Sequence, residues 1–484
     1  MDIIKTLKDF KRKSKKILFT TPGHCQGKII PFEVEMLMGR KIFEADVSEI
    51  DDFDNIRQPK TLFFESQKKI SEIYESKQSF YLFNGSSSGI IALMLATVKK
   101  GEKVLLARNA HVSIYNALVL TGVVPVWINP ERNNEFNICD VVDPEKIKEK
   151  LDEHHNIKAV WITSPTYEGV VSDVLEISRI CKERKILLIV DEAHGALWNF
   201  SKNLPTPAII QGADASVQSL HKTATALTQG AVLHIGYHSQ IDKDKVQQSL
   251  NIINSTSPSF PIIASIEGAI EYLQSNKGKN RLGKLLSHID KFRKDISLYK
   301  DINILTDCNI DKTKLFISIK GLSGYKLSEI LINRYNIEDE LANDKGVLCL
   351  TGIGTEKHKL DKLKNALIDI VKNEKLQTTM PLYKFGLYRI GDDQKPQSCN
   401  AASFLYIEPA MAYTPEEIFN MPSKSVDISD CIGKISKELI IPYPPGIPVL
   451  MPGEIIKEEH LPYLKDKKTI QIADFVTGQV YQSV

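Results

Sequence analysis

From about residue 61 the chain alternates short aliphatic runs with helix-like stretches, and this alternation limits its fold more than any other feature. Residues 61–77 read as a helix, Phe80–Phe83 as a strand, and Ile90–Lys100 as a second helix after the turn Asn84–Gly89. Val104–Ala107, Pro125–Ile128, Ala159–Ile162 and Ile186–Val190 read as further strands. The last two are continuously aliphatic, as strands covered on both faces must be. Short buried strands joined through helices imply right-handed βαβ units and a mostly parallel sheet, an α/β fold. A helical region near 261–297 leads to a smaller α+β layer, with strands at Lys314–Ile319 and Val347–Thr351 and helices near Lys326–Arg334 and 356–374. Residues 376–400 are polar and irregular, a natural boundary. Beyond them the Pro-rich run Tyr443–Glu454 can enter neither a helix nor a central strand and is expected to form a rigid extended surface. The expected division is therefore 1–60 as an N-terminal arm, 61–297 as a large domain, 298–380 as a small domain and 381–484 as a C-terminal domain.

Bulk properties exclude several classes. With 62 basic against 60 acidic residues, the chain has no electrostatic case for nucleic acid or an anionic membrane as its main partner. Lysines and Arg12 crowd residues 1–16, as a solvated or subunit-packing helix face would require. The seven cysteines are scattered without a C-x-x-C, so neither a disulfide framework nor a zinc knuckle is indicated. His154 and His155 have no partner at ligand spacing, and no metal site is expected. No signal-like or membrane-spanning apolar run occurs, which makes the cytoplasm the expected compartment.

Three motifs fall in the alternating region. Asn84-Gly85-Ser86-Ser87-Ser88-Gly89 lies between a strand and a helix, where glycine, helix N–H groups and hydroxyls can cup a phosphate. Many such turns bind nothing, and Ser88 has a plain role in shaping the turn. Asp191-Glu192-Ala193-His194-Gly195 follows the strand Ile186–Val190, so Asp191 should project from the carboxyl end of the sheet, where ligands of open parallel sheets bind. The same tetrapeptide resembles a helicase Walker B box, but the G-x-x-x-x-G-K-[S/T] loop which that reading needs is missing. Ser219-Leu220-His221-Lys222 comes third, a lysine flanked by two groups able to donate to a phosphate. Phosphate turn, strand-end acid and lysine, in that order, suit a pyridine cofactor whose ring nitrogen is held protonated by the acid.

In this order of motifs the sequence resembles the bacterial ornithine/lysine/arginine decarboxylases, fold-type I (aspartate-aminotransferase-like) enzymes dependent on pyridoxal 5′-phosphate (PLP). Supporting stretches are Thr21-Pro22-Gly23-His24, Asp46-Val47-Ser48-Glu49-Ile50, Arg108-Asn109-Ala110-His111, Thr163-Ser164-Pro165-Thr166-Tyr167-Glu168-Gly169, Ser255-Thr256-Ser257-Pro258-Ser259 and Tyr443-Pro444-Pro445-Gly446-Ile447-Pro448 with Pro452-Gly453-Glu454. The resemblance implies Lys222 as the Schiff-base lysine, Asp191 as the partner of the ring nitrogen, His111 stacked on one ring face and Ala193 packed on the other. Gly85, Ser86, Ser87, Ser219 and His221 become phosphate-site residues, and His194 reaches the ring hydroxyl or the substrate. Thr256 would reach the phosphate of a neighbouring subunit, making the enzyme a homodimer with its site between subunits.

The implied reaction is decarboxylation of a basic L-amino acid, with arginine favoured over lysine and then ornithine. An aminotransferase- or aldolase-type reaction on the same fold, or a non-catalytic PLP-binding subunit, are the other readings. Glu168 could face the substrate's cationic end or make a structural hydrogen bond; Trp161 and Trp198 read as packing. Cys25, Val112 and Ala410-Met411 depart from the family pattern, as does the absence of a glycine after Pro59. The resemblance is to short members without a receiver-like N-terminal domain, so large ring assemblies are not expected.

Overall fold

The computed structural model describes residues 2–306, 309–373, 407, 409–442 and 446–474. Seven strands form the central sheet: β1 Gln78–Leu82, β2 Lys103–Ala107, β3 Val124–Ile128, β4 Ile157–Thr163, β5 Leu187–Asp191, β6 Ala215–Gln218 and β7 Ala231–Ile235. Their order is β1-β7-β6-β5-β4-β2-β3, and every neighbouring pair is parallel except the two that involve β7. One reversed strand in a parallel sheet satisfies the mostly parallel expectation.

Both faces of the sheet are covered. In β2, Val104 and Leu106 pack under the helices Gly85–Thr97, Val112–Thr121 and Lys243–Ile253, while Leu105 and Ala107 pack under Pro144–Glu153 and Val174–Glu183. This period-two division explains why the strands read as continuous aliphatic runs. β6 and β7 lie outside the strands read from sequence.

The helical region after the sheet is two helices, Phe260–Gln274 and Asn276–Ile296. Ser275 separates them and accepts the N–H of Gly278 at 3.1 Å. A side chain at Gly278 would meet the Tyr272 carbonyl oxygen at 1.9 Å, so only glycine permits the chain to turn this closely. The second helix packs on a four-stranded antiparallel sheet, β8 Ile302–Ile304, β9 Lys314–Ile319, β10 Leu341–Ala342 and β11 Val347–Leu350, in the order β8-β9-β11-β10. The C-terminal part pairs β12 Ser423–Asp427 with β13 Thr469–Ala473. The expected boundaries at 376–400 lie outside the described residues.

The Pro-rich run corrects an expectation. Tyr443–Pro445 lie outside the described residues, but Gly446 and Pro448–Glu454 are buried rather than a surface. Arg108, 2% exposed, donates to the carbonyls of Pro448 (2.7 Å) and Val449 (2.9 Å) and sits 3.5 Å from the Glu454 carboxylate. A proline-rich segment keeps its carbonyls free of sheet bonds, and the buried guanidinium takes them. The run is thus a strap across the end of β2, with Gly446 accepting the N–H of Val112 at 3.0 Å.

Candidate active site

A cavity of about 520 Å³ opens at the carboxyl ends of the parallel strands. Gly85, Ser86, Ser87, His111, Asp191, Ala193, His194, His221 and Lys222 all line it. The serine turn proves to be the first turn of the helix Gly85–Thr97, not a loop preceding it. Gly85 has φ +77°, a left-handed conformation that favours glycine, and donates its N–H to Gln229 at 3.0 Å. The helix start leaves N–H groups without intrahelical partners, beside the hydroxyls of Ser86 and Ser87. Ser88 turns away and bonds the Gly85 carbonyl at 2.8 Å, shaping the turn. Ser219 does not line the cavity; it is fully buried, and its hydroxyl donates to Ser86 Oγ at 2.9 Å from behind.

Asp191 ends β5, is 4% exposed, and accepts the Ala193 N–H on Oδ1 at 3.1 Å. The next residue, Glu192, is buried among other partners: it accepts from Ala208 N (2.7 Å) and Gln218 Nε2 (2.6 Å), and burial lifts its carboxyl to about 8. Lys222, in the short helix Leu220–Thr223, places Nζ 2.8 Å from His194 Nε2. Burial pulls the Lys222 ammonium below its ordinary range and Lys314 adds to this, while Asp191 and Glu340 act the other way. Burial, then Lys222 and Lys314, hold His194 well below the usual imidazole value. His111 caps the helix Val112–Thr121, where Nδ1 accepts the Ser113 N–H at 3.2 Å and leaves the proton of the neutral ring to Nε2. Its pKa is lowered by burial, partly offset by Asp191. A lysine amine of lowered proton affinity and two imidazoles biased by burial towards their neutral form thus line one cavity with Asp191.

Several cavity residues were not singled out from sequence. Tyr167 packs its ring edge-on to His194 at 4.6 Å, lies 6.0 Å from Lys222 Nζ, and hydrogen-bonds Glu340. Glu340, Leu341, Asn343 and Leu350 come from the small domain, and Ile447 comes from the strap. Behind His194, the buried Lys314 donates to its carbonyl oxygen at 2.6 Å and to Asp311 at 2.6 Å. Trp198 donates to the same aspartate at 2.9 Å, and Trp161 is buried in the sheet core, both as packing residues. The chain order of the motifs could not indicate these small-domain contacts. Thr256 lies on an exposed turn outside the cavity.

The cavity suits PLP. Among the described residues, both polar atoms of the Asn109 side chain and Nδ1 of His194 are buried at its wall without a hydrogen-bond partner. Hydroxyls, the start of a helix, a carboxyl group and a lysine amine all line the cavity. Fold and cavity together define the fold-type I class of PLP enzymes. Residues 2–318 match the family model for the major domain of Orn/Lys/Arg decarboxylases, and residues 397–472 match the model for their C-terminal domain. The chain therefore belongs to the Orn/Lys/Arg decarboxylase family and is a PLP-dependent decarboxylase acting on basic amino acids. It is 30% identical to an arginine decarboxylase of Halalkalibacterium halodurans over 94% of this chain and 91% of that one. An arginine decarboxylase of Bacillus subtilis is 30% identical over 93% and 90%. Its fold matches that of a lysine decarboxylase from Francisella novicida with a TM-score of 0.80 at 20% identity, covering 98% of this chain and 81% of that chain.

Proposed function

We propose that the chain converts L-arginine to agmatine and carbon dioxide, with L-lysine (to cadaverine) and then L-ornithine (to putrescine) as poorer substrates. The carrying observation is the single cavity in which Lys222 Nζ lies against His194, with Asp191 and the serine helix start on its walls. The arginine decarboxylases that match along nearly the whole chain support arginine. When bound, PLP supplies the electron sink for the pair released as the bond between Cα and the carboxylate breaks.

The protein's own groups hold and orient. Ser86, Ser87, His221 and the N–H groups of the helix start bind the phosphate, with Ser219 orienting Ser86. Asp191 would keep the ring nitrogen protonated, and His111 and Ala193 would pack against the ring. Lys222 would anchor the cofactor through its amine, whose proton affinity burial lowers, and would return a proton to Cα after carbon dioxide departs. His194, hydrogen-bonded to that amine, fixes its direction. Purified protein given each of the three amino acids with added PLP is expected to release carbon dioxide fastest from arginine. A keto acid in place of an amine would overturn this reading.

The same proposal extends to the assembly, a homodimer working in the cytoplasm. Ile17, Phe19, Ile29, Phe32, Met36 and Leu37 stand exposed along the arm, each more than 70% accessible. An apolar patch of this kind is covered by a second copy, which also brings Thr256 to the neighbouring phosphate site. Sedimentation is expected to give a particle twice the 54.5 kDa chain mass. Phe19→Ser with Leu37→Ser should shift it to monomers with little activity, whereas an active monomer would refute the shared site.

A further inference from the structure

The cavity has two ends. The sheet domain builds one from the turn Gly85–Ser87, His221, Thr228 and Gln229. The other is built from Asn137, Cys139, Tyr167, Glu168, Leu341 and Asn343, where Asn343 ties the two domains through the carbonyls of Phe136 and Asn137, each at 3.0 Å. Lys222 and His194 lie between, touched from the second end by Tyr167.

We infer that Glu168 is the specificity-determining residue of this second end, its carboxylate receiving the distal ammonium or guanidinium of the amino-acid substrate. This inference rests on the decarboxylase reading above and names the group that selects basic substrates. The argument comes from comparing the interior carboxylates. Glu267 accepts the N–H groups of Asp2, Ile3 and Ile4 and the hydroxyl of Ser66. Glu192 is held by Ala208 and Gln218, and Glu454 by Arg108 and the Met451 N–H. Each is saturated by the protein, as a structural carboxylate must be. Among the described residues only its own backbone N–H and the Thr166 hydroxyl act on the Glu168 carboxyl, which burial pushes up to about 7. It lines the cavity all the same.

Its placement is fixed. Residues 166–169 form a tight turn, with Gly169 N–H on the Thr166 carbonyl at 3.0 Å and Thr166 N–H on the Val170 carbonyl at 2.8 Å. Gly169 has φ +103°, and a side chain there would meet Lys314 Cβ at 2.9 Å, so the turn seats directly on the small domain. Asp311 N–H bonds the Gly169 carbonyl at 2.8 Å, and Tyr167 is tied to Glu340. Glu168 is thereby held as a preorganised, half-buried acceptor, an environment that strengthens a charge-assisted hydrogen bond to a cation. Glu340, the other carboxylate of this end, is exposed and already engaged by Tyr167.

Glu168→Gln, which keeps size and removes charge, is expected to lower kcat/KM for arginine and lysine at least about 30-fold, chiefly through KM. The wild-type preference for arginine over citrulline, and for lysine over norleucine, should collapse, with the visible absorbance of bound cofactor unchanged. Glu168→Asp should keep the preference for a cation with a weaker KM. Glu340→Gln, which removes the charge that Tyr167 engages, is expected to keep both preferences for a cation whatever it does to KM. If Glu168→Gln keeps both preferences while wild type is active, or if Glu340→Gln is the variant that loses them, the assignment to Glu168 is wrong. Wild-type protein inert on every basic amino acid would instead overturn the decarboxylase reading itself.

Discussion

Lys222→Ala is expected to lower turnover by on the order of 10⁴-fold or more and to remove the visible absorption band of the enzyme-bound cofactor. The size of the effect follows from how the lysine is placed. Its amine is buried, its proton affinity is reduced chiefly by that burial, and His194 Nε2 fixes its direction at 2.8 Å. No neighbouring amine can substitute at the same point: Lys314, the other lysine near His194, is 1% exposed and spends its hydrogens on the His194 carbonyl, Asp311 and Thr313. Lys222→Arg separates charge from chemistry, because a guanidinium keeps the positive charge but does not lose its proton near neutral pH. It too is expected to be inactive while still binding PLP through the phosphate site. Turnover of Lys222→Ala within tenfold of wild type would show that this amine is not the cofactor's anchor.

The sheet and the chemical centre were legible for different reasons. β4 and β5 carry the apolar runs Ala159–Ile162 and Leu187–Val190 because both their faces are covered, and that pattern survives in the bare sequence. β6, with the sequence ASVQ, has no such run: Ser216 and Gln218 are fully enclosed, and the Gln218 amide donates to Glu192. β7 buries His234, whose ring bonds Ser79 on β1 at 2.8 Å and stacks on Tyr74 at 4.2 Å. Only the assembled sheet supplies those partners, so a polar residue breaks a pattern that the fold tolerates. The convergence of Lys222 and Asp191 was legible because motif order along a βαβ chain maps onto the carboxyl ends of the strands, whereas His111 came from the family resemblance. Glu340 and Asn343 were not legible, since they meet the cavity only when the small domain docks, and Tyr167 stood out only as part of a family motif. The strap was misplaced to the surface because composition reveals that proline cannot donate, and says nothing of which buried group takes its carbonyls.

That strap leads to the second large effect. Arg108→Met is expected to destabilise the protein by about 3–5 kcal/mol, the usual loss when one partner of a buried ion pair is removed. Two consequences combine. Glu454, 1% exposed and already pushed upward by burial, loses the guanidinium that opposes that shift, and the Pro448 and Val449 carbonyls lose their donors. Against a typical total stability of about 5–15 kcal/mol this is a large fraction, so a lowered melting temperature and easier proteolysis of the C-terminal segment should both be seen. The damage should extend to catalysis, because the strap carries Ile447 into the cavity and holds Val112, the residue after His111, through the Gly446 carbonyl. KM is expected to rise even at temperatures where the variant remains folded. Adding Glu454→Leu to Arg108→Met removes the stranded charge and should recover much of the stability but not the KM, since the strap's carbonyls still lack their donor. A single variant that melts within about one degree of wild type would show that the Arg108–Glu454 pair does not hold the C-terminal segment against the sheet.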